Sequence, residues 1–267
     1  MTRDEDARSL DTGVSARRAL GRLARSTVKI LSAPGAHARL QQAAVAAVAL
    51  MLVAAGFIFL YAPTDYLQGP VQRIFYLHVS SAIAAYGCFA VVLLGGIVYL
   101  WKENATADRL ARAGALVGVV FTTVTLVMGM IWAKPIWGTF WTWDARLTST
   151  LVLWIIYAGY LMVRRLAEPG RQAARFAAVV GIFGFIDVPV VHFSVTWWRT
   201  QHPGPVVIND ALPPQMLIAF LITMACTLFL AAVMIAIRYR IELLMDQAAE
   251  KAVLAPIVAA SEIGGAR

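Results

Sequence analysis

Apolar residues in this chain fall in long continuous runs, with neither the alternation of a half-buried strand nor the three-to-four spacing of a half-buried helix. Six runs stand out: Gln41 to Ala62, Tyr76 to Trp101, Leu110 to Ala133, Leu147 to Val163, Ala174 to Val195 and Pro214 to Ile237. A bilayer's hydrocarbon core is about 30 Å thick and a helix rises about 1.5 Å per residue, so a spanning helix needs about 20 mostly apolar residues. The fourth run is the shortest, and none shows the period-two pattern of a barrel strand. The pattern predicts an all-α, polytopic membrane protein with six transmembrane helices. It divides the chain into a basic tail over 1–40, a six-helix membrane domain over 41–237 and a second tail over 238–267, in which Ile241 to Val253 reads as a short amphipathic helix.

Composition agrees with the pattern. Of 267 residues 60% are hydrophobic and only 14% are charged, where a soluble domain carries about 25% charged residues. The mean hydropathy is +0.70. The net charge of +8 at first points to a polyanion, but a nucleic-acid reading requires the basic residues to share one patch. They do not: 19 of the 23 Lys and Arg residues lie in the two tails and in or just beside the loops after spans two and four. Basic residues collect on the cytoplasmic side of short loops, so both termini are expected in the cytoplasm and no nucleic acid is expected as a partner. The two cysteines, Cys88 and Cys226, fall mid-span without a C-x-x-C pair, which excludes covalent haem attachment to this chain and dithiol redox chemistry. No G-x-x-x-x-G-K-[ST] motif is present, so any nucleotide-driven step belongs to another chain.

The residues with chemistry gather on the opposite, outer side. The loop Lys134 to Arg146 reads K-P-I-W-G-T-F-W-T-W-D-A-R, and Trp197-Trp198 lies in the next outer segment, so five of the eight tryptophans occupy two places. An aromatic belt at the membrane surface accounts for scattered Trp; a platform for a large planar ligand accounts for this density on one face. Both readings remain open on composition. His78 begins span two and His202 follows Trp198 by four residues, at matching depth on either side of the Trp-rich loop. Imidazole is a common axial ligand of haem iron, and this pair suits that role. His192, a turn inside span five, is expected to be a packing residue, and His37 a solvated one. A transmembrane electron-transfer chain needs ligands near both faces, whereas these histidines mark one face. Arg73, Lys134, Arg146 and Arg199 are the outer basic residues, available to carboxylates of a ligand or to lipid headgroups. Asp144 is expected to cap span four or to bind a neighbouring Arg.

The segment Trp137-Gly138-Thr139-Phe140-Trp141-Thr142-Trp143-Asp144-Ala145-Arg146-Leu147-Thr148-Ser149 resembles the tryptophan-rich signature of the haem-handling proteins of cytochrome c biogenesis. Arg73 to Val79 and His192 to His202 are similar to stretches of one branch, the CcmC family, and six spans suit that branch better than its larger relatives. The resemblance covers about Leu52 to Arg240. It implies a bacterial-type inner-membrane protein that binds haem b at the periplasmic face and delivers it to a CcmE-like haem chaperone. It further implies an ABC-type complex with CcmA- and CcmB-like partners and a small CcmD-like protein. By position it implies His78 and His202 as axial ligands, with the Trp-rich loop of Trp137, Gly138, Trp141, Trp143 and Asp144 against the cofactor; Arg73, Arg146, Arg199, Trp197 and Trp198 are candidate contacts by their place on the same face. The role implied is that of a transport or chaperone subunit and not an enzyme. The alternatives are a membrane b-type haem oxidoreductase working with quinone and a haem-translocating exporter subunit. The chain departs from the family at Ser80, where Pro is common, and in its long tail. Asp187, just before Pro189, is expected either to line the haem cavity or to bond backbone freed by that proline.

Overall fold

The computed structural model describes residues 35–167, 170–198, 200–204 and 212–264, so Arg199 and most of the basic tail lie outside the described residues. The chain divides after Gln42 into two units. The first is described only in the opening turns of helix α1; the second, from Ala43 onward, holds the helical bundle. The helices are α1 (Ala36–Gly56), α2 (Ile74–Lys102), α3 (Ala105–Trp137), α4 (Ala145–Leu166), α5 (Arg171–Phe185), α6 (Asp187–Trp197) and α7 (Pro214–Gly264). They make six segments long and apolar enough to cross a membrane, with α5 and α6 together forming the fifth. No strand forms among the described residues; a lone bridge between Asp65 and Gly69 closes a turn.

The segment ends follow from local chemistry. α1 loosens into a π-helical turn at Phe57–Tyr61, and Asp65 then takes the Leu67 and Gln68 amides on its Oδ1 at 2.8 and 2.7 Å. Gly69 adopts φ 62, a left-handed value open to glycine, and Pro70 starts a 3-10 turn that feeds α2. The start of α2 is therefore set upstream of Ser80, which lies buried in its second turn. The missing proline has no helix boundary to move. α3 runs through Pro135 to Trp137 and stops at Gly138, φ 79, whose N–H reaches the Lys134 carbonyl. The Trp-rich loop is thus shorter than the sequence pattern predicts: Lys134 to Trp137 are helical and Arg146 sits in the first turn of α4.

Span five is broken, where the sequence pattern predicts one continuous helix. Pro189 has no N–H to offer the Phe185 carbonyl, and Ile186 bonds instead to Phe183 at 3.1 Å, three residues back. Asp187 does not repair the break, since its Oδ2 is buried without a hydrogen bond. Conversely, the last span and the amphipathic segment after it are one helix: α7 has 51 residues, a length of about 75 Å at helical rise.

α2 and α3 pack most closely, through glycine. A Cβ on Gly118 would overlap the Phe89 ring, and one on Gly95 would lie 2.8 Å from the Ala107 carbonyl. This is the close backbone approach that small residues give to membrane helices. Phe89 in turn stacks on Tyr157 of α4 at 3.7 Å, and the Tyr157 hydroxyl donates to the Gly181 carbonyl of α5.

Charged residues tie the end of the bundle where α2 ends and α3 begins. Arg112 of α3 meets Glu242 of α7 at 2.7 Å and Asp246 at 3.0 Å; Arg109 meets Asp246 at 2.7 Å; Arg164 of α4 meets Asp108 of α3 at 2.9 Å. Charge this close to the apolar interior is tolerated because each acid has a basic partner.

Candidate functional site

The Trp-rich end collects the start of α2, the end of α3, the start of α4 and the segment after α6. His78 in the first turns of α2 lies against α3, its Nδ1 2.9 Å from the Thr125 carbonyl. That carbonyl already serves the helix, and the residue one turn on is Gly129, where a Cβ would lie 3.0 Å from His78 Cε1. Glycine at 129 therefore makes the room for the imidazole. His202 faces His78 with ring centres 6.3 Å apart and planes 30° from parallel. Its Nδ1 is 2.9 Å from its neighbour's carbonyl, on Pro203, and 3.5 Å from Arg146 Nη1. A carbonyl only accepts, so the His78 contact and the shorter of the two His202 contacts assign a proton to Nδ1, and in the neutral ring Nε2 then keeps its lone pair. Burial, then the nearby Arg146 guanidinium, pulls His202 down to about 4, so the ring is neutral at neutral pH. Two facing imidazoles, each with Nδ1 tied to a carbonyl, are residues that could hold a metal centre through Nε2.

Asp144 and Arg146 hold this arrangement. Asp144 caps α4, its Oδ1 taking the Leu147 amide at 2.9 Å, as the sequence predicts. Its Oδ2 accepts the Thr200 hydroxyl at 2.7 Å, and Thr200 Oγ1 accepts the His202 amide at 3.1 Å. Arg146 reaches across to α6, donating from Nη2 to the His192 carbonyl at 2.7 Å and from Nε to Ser194 Oγ at 3.3 Å. Both residues are engaged with neighbouring parts of the protein.

The aromatic residues are arranged differently from a flat platform. Trp141 and Trp143 meet edge to face at 5.6 Å, and Trp137 pairs edge to face with Trp132 at 5.1 Å. Trp143 is 77% exposed, and Trp197 and Trp198 are about half exposed. The Trp141 indole N–H is buried without a partner. Gly138 serves as the helix stop. Arg73 stays within its own segment, bonded to Thr64 Oγ1 and lying over the Phe59 ring at 5.8 Å. Lys134 turns back to the Gly138 carbonyl. The His192 imidazole is exposed beside Phe193, so it does not pack in the core, and only its carbonyl joins the site. Thr142, Trp143, Asp144, Thr200 and Gln201 line a shallow depression open to the outside.

Several supporting residues gave no sign in the sequence. Thr125 and Gly129 act through a backbone carbonyl and an absent Cβ, which no motif records. Thr200 and Ser194 lie inside the His192 to His202 stretch but differ in nothing from surface hydroxyls until Asp144 and Arg146 are placed beside them.

Fold and site together define a multi-pass, all-helical membrane protein with a paired-imidazole centre at its tryptophan-rich end. The family model described as CcmC, heme exporter protein C, matches residues 27–254, and the chain belongs to this family. It is similar to the heme exporter protein C of Escherichia coli K12, 39% identical over 173 residues, which are 65% of this chain and 71% of that one. The protein of the same name from Haemophilus influenzae is 35% identical over 204 residues, 74% and 83% of the two chains. A putative cytochrome c biosynthesis ccmC-like mitochondrial protein of Arabidopsis thaliana is 35% identical over 185 residues, 68% and 70% of the two.

Proposed function

We propose that this chain binds haem b at its Trp-rich end, with the iron between His78 and His202, and passes it to a CcmE-like haem chaperone. The facing imidazoles carry the reading. Imidazole–metal bonds are about 2 Å long, and two of them, with the offset of each ring centre from its Nε2, fill the 6.3 Å between the ring centres. With each Nδ1 held at a carbonyl, Nε2 is the nitrogen left in each ring for a metal. A single pair at one end suits a carrier that presents its cargo; His78, His192 and His202 all lie there, whereas a transmembrane electron-transfer chain needs ligands at both ends. Exposed Trp143, Trp197 and Trp198 give broad apolar area for a porphyrin edge and for a docking acceptor.

The proposed setting is the inner membrane, with the Trp-rich end toward the periplasm and both termini in the cytoplasm. The distribution of basic residues supports it, as do relatives named as exporter proteins. The chain works as a transport subunit with CcmA-, CcmB- and CcmD-like partners; it contains no nucleotide-binding motif of its own. Purified protein is expected to show a haem Soret band that His78→Ala and His202→Ala each abolish or strongly weaken. Unchanged spectra in both variants refute the axial assignment, and the absence of a co-purifying haem chaperone refutes the delivery step.

A further inference from the structure

We infer that Thr200 is a positioning residue for His202, and that Asp144 acts on the haem site through it. This rests on the axial role proposed for His202. The described residues Trp198 and Thr200 to Gly204 lie outside any helix, since α6 ends at Trp197 and α7 begins at Pro214. His78 is fixed by a helix and by α3; His202 depends on its loop. The shortest hydrogen-bonded link from this loop to a rigid element is the chain Asp144 Oδ2, Thr200 Oγ1–H, His202 N–H, with contacts of 2.7 and 3.1 Å. One hydroxyl both donates to the carboxylate and accepts from the backbone amide of the ligand residue, which a methyl group cannot do. Asp144 divides its two oxygens between the α4 cap and this link. The last residue of the Trp-rich cluster thereby sets the ring 6.3 Å from His78 without touching the ligand between them. Outer groups that orient a metal-bound imidazole change affinity by about ten- to a hundredfold when removed.

The test uses the full-length protein in detergent, loaded with haem, and reads haem affinity together with the optical spectrum of the bound iron. Thr200→Val removes both hydrogen bonds at equal size; it is expected to weaken haem binding by about tenfold and to convert part of the six-coordinate spectrum to five-coordinate. Free imidazole added to that variant restores the six-coordinate spectrum, which repair of a general folding defect does not predict. Thr200→Ser keeps the hydroxyl and keeps wild-type behaviour. Asp144→Ser retains an oxygen for the Leu147 amide, since Ser caps about as well as Asp, yet lacks the second oxygen; it should match Thr200→Val. If His202→Ala leaves the spectrum unchanged, the axial reading itself fails. If His202→Ala alters the spectrum while Thr200→Val and Asp144→Ser do not, the positioning role alone is overturned. Should Thr200→Val fail to fold, the Asp144→Ser and Thr200→Ser pair decides in the same way.

Discussion

The two ends of the bundle solve the same problem by opposite means. At the arginine-rich end, Asp108, Glu242 and Asp246 each face at least one arginine, and the pairs bind α3, α4 and α7 together. At the Trp-rich end, the buried Trp141 N–H and Thr142 hydroxyl lack partners, and large rings stand exposed. A buried charge without a partner is costly, while exposed aromatic area costs little until it is covered. The first end therefore holds the helices in register, and the second keeps binding capacity unspent. Stability and site are separable in this molecule, and substitutions should separate them.

The largest expected effect belongs to the paired end. Glu242→Ala leaves Arg112 and Arg238 facing a buried gap, since the Glu242 side chain is only 6% exposed. Breaking such a buried pair costs about 3–5 kcal/mol, measurable by chemical unfolding in detergent, with the spectrum of whatever folded protein remains unchanged. The double variant Arg112→Met with Glu242→Leu should recover more than half of that loss, because Asp108 and Asp246 keep Arg164 and Arg109. A spectrum lost in step with stability would instead join the two ends into one unit.

Arg146→Lys comes next, and it should act on the other end. The guanidinium fork serves the His192 carbonyl, Ser194 and the neighbourhood of His202 at once, which a single ammonium cannot. A hydrogen bond from a charged group contributes about 1.5–3 kcal/mol, so haem retention should fall about tenfold or more, while unfolding shifts less than in Glu242→Ala. Gly129→Ala sharpens the contrast further. Alanine is about 1 kcal/mol better than glycine in a helix, yet its Cβ would press on His78 Cε1. Stability should be nearly unchanged while haem affinity drops. Wild-type affinity would mean that His78 is free to shift, and that its ring is less fixed than its carbonyl contact implies. Among the tryptophans, Trp141→Ala should lower haem retention more than Trp154→Ala, whose indole bonds to Thr123 within the span. Equal losses would return the Trp cluster to a membrane belt.

What the sequence made legible is what hydropathy and motif carry. Six spans were visible because about 20 apolar residues in a row have few other uses in a chain, and His78, Asp144 and Arg146 stood out by type and place. Span limits were not legible where paired charges let a helix run through charged sequence: α3 begins at its Asn104 cap, before Leu110, and Asp108 and Arg109 just inside it are both paired. α7 passes Ile237 for the same reason, with Glu242 and Asp246 turned toward α3. The break at Ile186 was signalled by Pro189 but hidden by unbroken apolarity on both sides. The geometry of the rings, and the division of Asp144 between two partners, depend on residues far away in the chain and have no local signature.

The smallest expected effect lies at the paired end itself, and shows what pairing means there. Glu103 also faces arginines, Arg171 and Arg175 of α5, but Glu103 and Arg171 are 38% and 74% exposed. The Arg171 hydrogen bond holds the Glu103 carboxyl below its usual value. A carboxyl lowered in the folded state stabilises above its unfolded pKa and loses that contribution as the pH falls through the lowered value. The pair is in water, however, so salt screens it and side-chain freedom opposes it. Glu103→Gln should leave the unfolding midpoint at neutral pH within error, and any residual difference should vanish in high salt or on acidification. Glu103 and Glu242 carry the same carboxyl and face the same kind of partner. A large loss from Glu103→Gln would mean that ion pairing at this end stabilises by charge alone, whereas near silence beside a severe Glu242→Ala assigns the effect to burial.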